Sequence, residues 1–246
     1  MTALPAFDAD QLFDVQAPDE TPLDWPGPGP IDRAVHDLPH ASSTLEWWYL
    51  NCHLVTREGR EVSLFAAFFR ERAGVDPETG AAIYAHSVAW ALSEPDRARY
   101  HPKVAVDPRA PALGLAKLDA ARHVSSGRID RALREVLERG RVPGPTRLLD
   151  SPAVVSQSLL HLDYGRDRLV KIDADEYELS LYDELAEIGC SLRFVPRKNP
   201  VRYGSDGIVH GVQDERMFYY FIPRCDVRGQ LTIDGSSVGV DQGSGW

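Results

Sequence analysis

Apolar residues in this chain recur at every second position, in short runs separated by turn residues, and that period admits strands rather than helices. Cys190, Leu192 and Phe194 point one way while Ser191 and Arg193 point the other. Leu231 and Ile233 likewise oppose Gln230, Thr232 and Asp234. Strands of this kind bury one face only. The pattern predicts strands over 47–55, 62–69, 81–92, 158–164, 169–172, 176–183, 190–196, 217–222 and 230–233. Arg57-Glu58-Gly59-Arg60 is the tight turn after the first, and Asp76-Pro77-Glu78-Thr79-Gly80 the loop before the third. The run Val62 to Phe69 is apolar on both faces and predicts cover on both sides. About nine short strands joined mostly by turns describe a mainly β sandwich or barrel.

One stretch departs from this period. In residues 112–140, Ile129, Leu133, Val136 and Leu137 recur at helical spacing and Gly140 closes the segment. This is a helical insertion, an amphipathic helix with a shorter helical piece before it, covering one edge or end of the β domain. Upstream, Pro18, Pro22, Pro26, Pro28, Pro30 and Pro39 oppose regular helix and central strand. Residues 1–40 therefore read as a Pro-rich extension, pinned by Trp25, and residues 41–246 as one barrel domain.

Composition excludes some functions. The 37 acidic and 27 basic side chains give a formal charge of -10, which argues against a nucleic-acid partner. Cys52, Cys190 and Cys225 are odd in number, lack CxxC spacing and sit in apolar runs. They read as buried thiols in a reducing, cytoplasmic setting. Met1 to Pro18 carries acids and no long apolar core, unlike a signal peptide. No apolar run approaches the roughly 20 residues of a membrane helix.

The chemically loaded segment is Leu45 to Leu54. Period two puts Trp48, Leu50, Cys52 and Leu54 on a core face, and Trp47, Tyr49, Asn51 and His53 on the other. The second face mixes aromatic surface with polar anchors, which suits the wall of a pocket for an apolar ligand. It equally suits an aromatic strand face whose polar tips reach solvent. Glu46 is a buried acid or a rim charge. Tyr84, His86, Val88 and Trp90 share a face, where His86 meets His53 across the sheet or is a satisfied core imidazole. Tyr219, Tyr220 and the loop residue His210 form a third cluster.

Two motifs are set aside. Gly235-Ser236-Ser237-Val238-Gly239 fits G-x-S-x-G, but Asp234-Gly235 reads as a hairpin turn, not as a strand running into a helix. His36 and His40 have the spacing of a helical metal pair, but Pro39 opposes the helix and no third ligand is near. Neither a metal nor a cofactor is expected.

Pro39-His40 followed by Glu46-Trp47-Trp48-Tyr49-Leu50-Asn51-Cys52-His53-Leu54 resembles the opening of the lipocalin-like family of carotenoid 1,2-hydratase (hydroxyneurosporene synthase) and AttH-type proteins. Phe68-Phe69-Arg70, Ala85-His86-Ser87-Val88-Ala89 with Ser93, the segment 176–196, Tyr219-Tyr220-Phe221 with Pro223-Arg224, and 227–235 are similar in the same order. The resemblance implies a lipocalin-like antiparallel β-barrel, the first of a tandem pair. Gly243-Ser244-Gly245-Trp246 matches the start of a family stretch that normally runs on into an acidic motif. A fragment lacking its second lipocalin-like domain is the expectation.

The resemblance also implies a hydratase or a Diels-Alder-type cyclase acting on an apolar polyene, terpenoid or polyketide. Glu46, His53 or His86 would protonate the alkene. Trp47 and Tyr49 would stabilise a cation, with Asn51, Trp90 and Tyr219 completing the binding wall. A peripheral membrane contact would give such a substrate access. The rivals are a non-catalytic carrier of hydrophobic ligands, and a domain that works only with its second half.

Overall fold

The computed structural model describes residues 21–120, 127–173, 175–210 and 216–246. A one-turn helix, α1 (Arg33–His36), sits between Pro30 and Pro39 in the N-terminal lead, and Asp32 caps it through a 2.9 Å bond from Ala34 N. The prolines leave room for this single turn and no more.

The antiparallel meander β1 (Leu45–Thr56), β2 (Glu61–Val75), β3 (Ala82–Glu94) and β4 (Arg99–Val106) follows. Helices α2 (Ala110–Ala120) and α3 (Arg128–Glu138) form the insertion expected at 112–140. Next come β5 (Arg147–Leu148), β6 (Val154–Val155), β7 (His161–Tyr164), β8 (Asp167–Asp173), β9 (Glu176–Asp183) and β10 (Ile188–Pro196). Four short strands, β11 (Val201–Arg202), β12 (Ile208–His210), β13 (Arg216–Phe218) and β14 (Tyr220–Phe221), precede β15 (Cys225–Ile233) and β16 (Ser236–Gly245).

Twelve strands form one sheet in the order β5-β4-β3-β2-β1-β16-β15-β10-β9-β8-β7-β6. Its two halves curl to face each other. Phe68 on β2 meets Tyr164 on β7 edge-on at 5.2 Å. Trp90 Nε1 on β3 donates to Asp167 on β8 at 3.1 Å, and Lys103 Nζ on β4 donates to the same carboxylate at 2.7 Å. Leu92, Leu162, Leu179, Leu192 and Leu231 fill the space between the halves as one core. The result is the expected lipocalin-like barrel, left open where β5 and β6 do not pair.

The long strands β4 and β16 were not predicted, and neither were the short β5, β6, β11 and β12. In β4, Pro102 interrupts the apolar pattern. It is accommodated because β5 pairs only with Ala105 and Val106, leaving the Pro102 side of the strand open. The Gly-rich β16 pairs with β1 on one side and β15 on the other. A Cβ on Gly243 would lie 2.5 Å from Val227 O, so glycine is what lets the neighbouring strands approach. Asp234 and Gly235, both at positive φ, make the two-residue turn that the sequence suggested, and β16 follows where a nucleophile motif would need a helix. The predicted strand 217–222 divides at Tyr219, whose backbone bonds Gly207 and Tyr203 instead of continuing either ladder.

The core face of β1 is as read: Leu50, Cys52 and Leu54 are buried and Trp48 packs against them. Cover on β2 is uneven, with Ala67 buried and Phe65 41% exposed. All three thiols are free and buried, and burial pushes Cys52 up to about 12.

The N-terminal lead is tied down by a buried carboxylate. Asp37 accepts from Tyr177 OH at 2.7 Å, Lys171 Nζ at 2.9 Å and Tyr220 OH at 2.6 Å, while its carbonyl accepts from Trp48 Nε1 at 2.9 Å. Trp25 is buried and packs 6.2 Å from Phe218. Replacing Asp37 by Ala takes the carboxylate from Lys171 and from two phenols, leaving Lys171 only Arg33 O and Tyr220 only His36 O. Chemical denaturation should show a loss of roughly 3–5 kcal/mol, against about 1 kcal/mol for Tyr220→Phe. Equal small losses for both would mean that Asp37 is not the anchor.

Candidate functional site

Pleat and register place three ionisable residues side by side on the inner face of the sheet. Glu46 on β1 is paired with Arg70 on β2, and Arg70 with His86 on β3. They lie in step with the apolar rows Trp48-Phe68-Val88 and Leu50-Ala66-Trp90. The charged row therefore continues the core rather than the surface, and Arg70 is only 2% exposed.

Neighbouring segments complete the cluster. The chain after α1 brings His40 over Glu46, whose Oε1 accepts from His40 N at 2.8 Å and lies 2.7 Å from His40 Nδ1. Arg70 Nη2 donates to His40 O at 2.6 Å, and the guanidinium stacks 4.0 Å over the Tyr84 ring. On the other flank, Asp107 follows β4 and its Oδ2 is 3.8 Å from His86 Nδ1, an electrostatic rather than a hydrogen-bond distance. Arg109 grips Asp107 with a fork, Nε to Oδ1 at 2.8 Å and Nη2 to Oδ2 at 2.7 Å. The Tyr164 ring meets His86 edge-on at 5.5 Å, and its hydroxyl donates to Phe69 O at 3.0 Å.

Two histidines thus flank one arginine, each with Nδ1 turned to a carboxylate. In both, the partner favours a proton on Nδ1 and leaves Nε2 to act. Among the described residues, His40 Nε2, His86 Nε2, Arg70 Nε and Glu46 Oε2 are buried with no hydrogen-bond partner in the protein. Arg70 Nη2 does lie 2.6 Å from Glu46 Oε2, but outside hydrogen-bond geometry, so the pair is ionic and that oxygen keeps its accepting capacity. Buried polar atoms are normally paired. Four orphans in one cluster mark a place built to receive something polar.

The residues singled out from the sequence divide between the two faces. Glu46 and His86 belong to the inner row. His53 does not meet His86: it is exposed on the outer face, 2.9 Å from Ser63 Oγ and 5.9 Å from the Trp246 ring. Trp47, Tyr49 and Asn51 share that outer face, so they line the outside of the barrel and not its lumen. The segment around Tyr219 folds over them, with Tyr49 and Tyr219 stacked at 6.3 Å and joined through their hydroxyls at 2.5 Å. Trp90 is core, satisfied by Asp167. His210 is exposed at the end of β12.

The sequence reading passed over His40, Arg70 and Asp107 as site residues. Arg70 had left a signal, as the charge that ends the apolar run Val62 to Phe69 two residues after the inward-facing Phe68. A separate open groove of ≈ 810 Å³ is lined by Ala34, Leu38, Leu160 and Ile172 among others, and includes no residue of the row.

A curled, incompletely closed sheet with a packed interior and a charged row at one end of its inner face is a lipocalin-like barrel. The chain belongs to the AttH-like family, whose model matches residues 30–246. The fold is similar to the crystal structure of a putative AttH from Nitrosomonas europaea, with a TM-score of 0.60 at 16% identity, covering 91% of this chain and 55% of that one. It is also similar to kievitone hydratase from Nectria haematococca, with a TM-score of 0.52 at 11% identity, covering 85% of this chain and 49% of that one. The chain thus spans about half the length of these neighbours. No curated protein matches by sequence. No helix among the described residues is long and apolar enough to cross a membrane.

Burial alone would push the Asp107 carboxyl up, but the Arg109 fork and His86 outweigh it and hold the group well below the usual carboxylate range. A folded value below the unfolded one contributes stability above roughly pH 4, and that stability is lost as pH falls toward the folded value. Arg109→Gln removes the fork. The acid-unfolding midpoint, followed by circular dichroism, should move to higher pH by on the order of one unit. An unmoved midpoint would show that Arg109 does not hold Asp107.

Proposed function

We propose that this barrel is a hydratase-class protein that adds water to an alkene of an apolar small molecule, a polyene, terpenoid or polyketide, at the Glu46–Arg70–His86 row. The observation that carries the reading is the pair of histidine–carboxylate couples, His40 with Glu46 and His86 with Asp107, on either side of a buried arginine. Hydration needs one acid and one base, and two imidazoles can share those roles near neutral pH.

In this scheme His40 Nε2 takes a proton from water as the oxygen bonds to one alkene carbon. His86 Nε2, as imidazolium, gives a proton to the other carbon. The π bond is consumed, one C–O and one C–H bond form, and the product is an alcohol. The two histidines end with exchanged protonation states, which solvent resets. Asp107 faces His86 Nδ1 and Glu46 orients His40, so both are positioning residues. The family membership and the fold shared with a hydratase support this reading as analogy.

The test is to incubate the protein with panels of apolar unsaturated compounds in heavy-oxygen water and to follow label uptake by mass spectrometry. His86→Gln and His40→Gln should each lower uptake by about 10²–10⁴-fold, while Tyr49→Phe on the outer face leaves it unchanged. The pH–rate profile should be bell-shaped, because one imidazole must be charged and the other neutral. Uptake that survives both histidine changes would sink the mechanism. Binding without uptake across the panel would favour a non-catalytic carrier.

A further inference from the structure

The four orphan atoms are not equivalent. Each Nε2 accepts or donates according to the charge on its ring, so neither dictates what sits beside it. Glu46 Oε2 can be served by water, the co-substrate of the proposed reaction. Arg70 Nε is different. A guanidinium is always charged and has no accepting lone pair, so its N–H can only donate.

Nη2 and one face of the guanidinium are engaged. Nη2 bonds His40 O and sits against Glu46 Oε2, and one face of the guanidinium covers Tyr84. Nε remains buried and unpartnered in a side chain that is 2% exposed. An unsatisfied donor on a buried cation is among the costlier defects a core can carry. A plain hydrocarbon seated against it would increase the cost by excluding water and supplying no acceptor.

We infer that the molecule taken at this row is not a pure hydrocarbon but carries a carbonyl-type oxygen that accepts from Arg70 Nε. This rests on the reading of the row as a ligand site given above, and it adds the class of ligand. It also supplies a chemical reason for the arginine. A carbonyl conjugated to the alkene gathers negative charge on oxygen as water adds, and a fixed donor aimed at that oxygen stabilises it. Protonation at carbon by His86 then returns the carbonyl.

The experiment uses two probes of nearly the same size and shape, 2-acetylnaphthalene and 2-ethylnaphthalene, which differ by a C=O in place of a CH₂. Their affinities for the full chain are measured by calorimetry, with fluorescence of the probe as a second readout. A charged donor satisfied by one probe and not by the other should favour the ketone by roughly tenfold or more. The ketone, and not its hydrocarbon analogue, should also move an arginine Nε–H resonance in ¹⁵N-labelled protein. Arg70→Gln, if its circular dichroism is native, should bind both probes alike. If that variant does not fold, the resonance in the wild-type chain decides.

Equal affinity of the two probes for the wild-type chain would overturn the inference, as would failure of 2-acetylnaphthalene to bind at its solubility limit. Hydration activity with no preference for the ketone leaves the reaction standing and removes the ligand class. A ketone preference in a protein that hydrates nothing does the reverse.

Discussion

The barrel depends on the glycine-rich strand β16. Among the described residues it is the strand of the large sheet that bonds both halves, joining β1 on one side to β15 on the other. Side chains at Gly243 or Gly245 would collide with Val227 O or Asn51 O, each 2.5 Å from the place a Cβ would take. The close approach lets β16 lie between both neighbours, with a register shift in its β15 ladder between Asp226 and Gln230. Only with that seam shut do β2 and β3 face β7 and β8, and only then is the row Glu46-Arg70-His86 interior. The same residues on an open sheet would be solvated charges with no chemistry to offer.

Buried charge is handled differently at Asp167 and at the row, while Glu94 faces Arg60, Arg97 and Arg99 without a hydrogen bond. Asp167 is a closed case: Trp90, Lys103 and the Tyr182 amide all donate to it, so the charge is spent on structure. Burial there pushes the carboxyl up and Lys103 opposes it, yet no polar atom of the group is left over. The row around Arg70 is an open case. Arg109 and His86 hold the Asp107 carboxyl low, but His40, His86, Arg70 and Glu46 each keep one free polar atom. A core that can satisfy Asp167 with three donors does not leave four atoms unsatisfied for lack of material. Such a concentration of local cost is what a functional site looks like against a well-packed background.

Much of this was legible in the sequence. Period two gave the strands, and on β1 it separated Trp48, Leu50, Cys52 and Leu54 from Trp47, Tyr49, Asn51 and His53 correctly. What period two cannot say is where the chemistry lies, and the aromatic face drew the site reading to the outside of the barrel. There Tyr49 and Tyr219 satisfy each other, which leaves little polar capacity for a ligand. Glu46 and His86 were picked out, but their neighbours were hidden by distance along the chain. Arg70 meets them through strand register, and Asp107 through the connection from β4 to the helical insertion. Neither link has a local spacing to reveal it. β16 was missed for a related reason, because glycines that serve close approach look like loop residues until the flanking strands are known.

The N-terminal lead ties stability to the site. Asp37 is locked by Lys171, Tyr177 and Tyr220, and its carbonyl by Trp48. Three residues later His40 leans on Glu46, with Pro39 limiting the freedom of the link. Lys171 and Tyr177 belong to β8 and β9, on the half of the sheet opposite Glu46. The lead therefore crosses from one half of the barrel to the other and delivers a histidine at the end of the crossing. A surface loop would set that imidazole loosely. A strap fixed at Asp37 holds it to the tolerance an acid–base pair requires. This gives a reason why a Pro-rich segment, outside the strand pattern and largely exposed, is pinned by the buried Trp25 and Asp37: it supplies one of the two imidazoles on which the proposed chemistry turns.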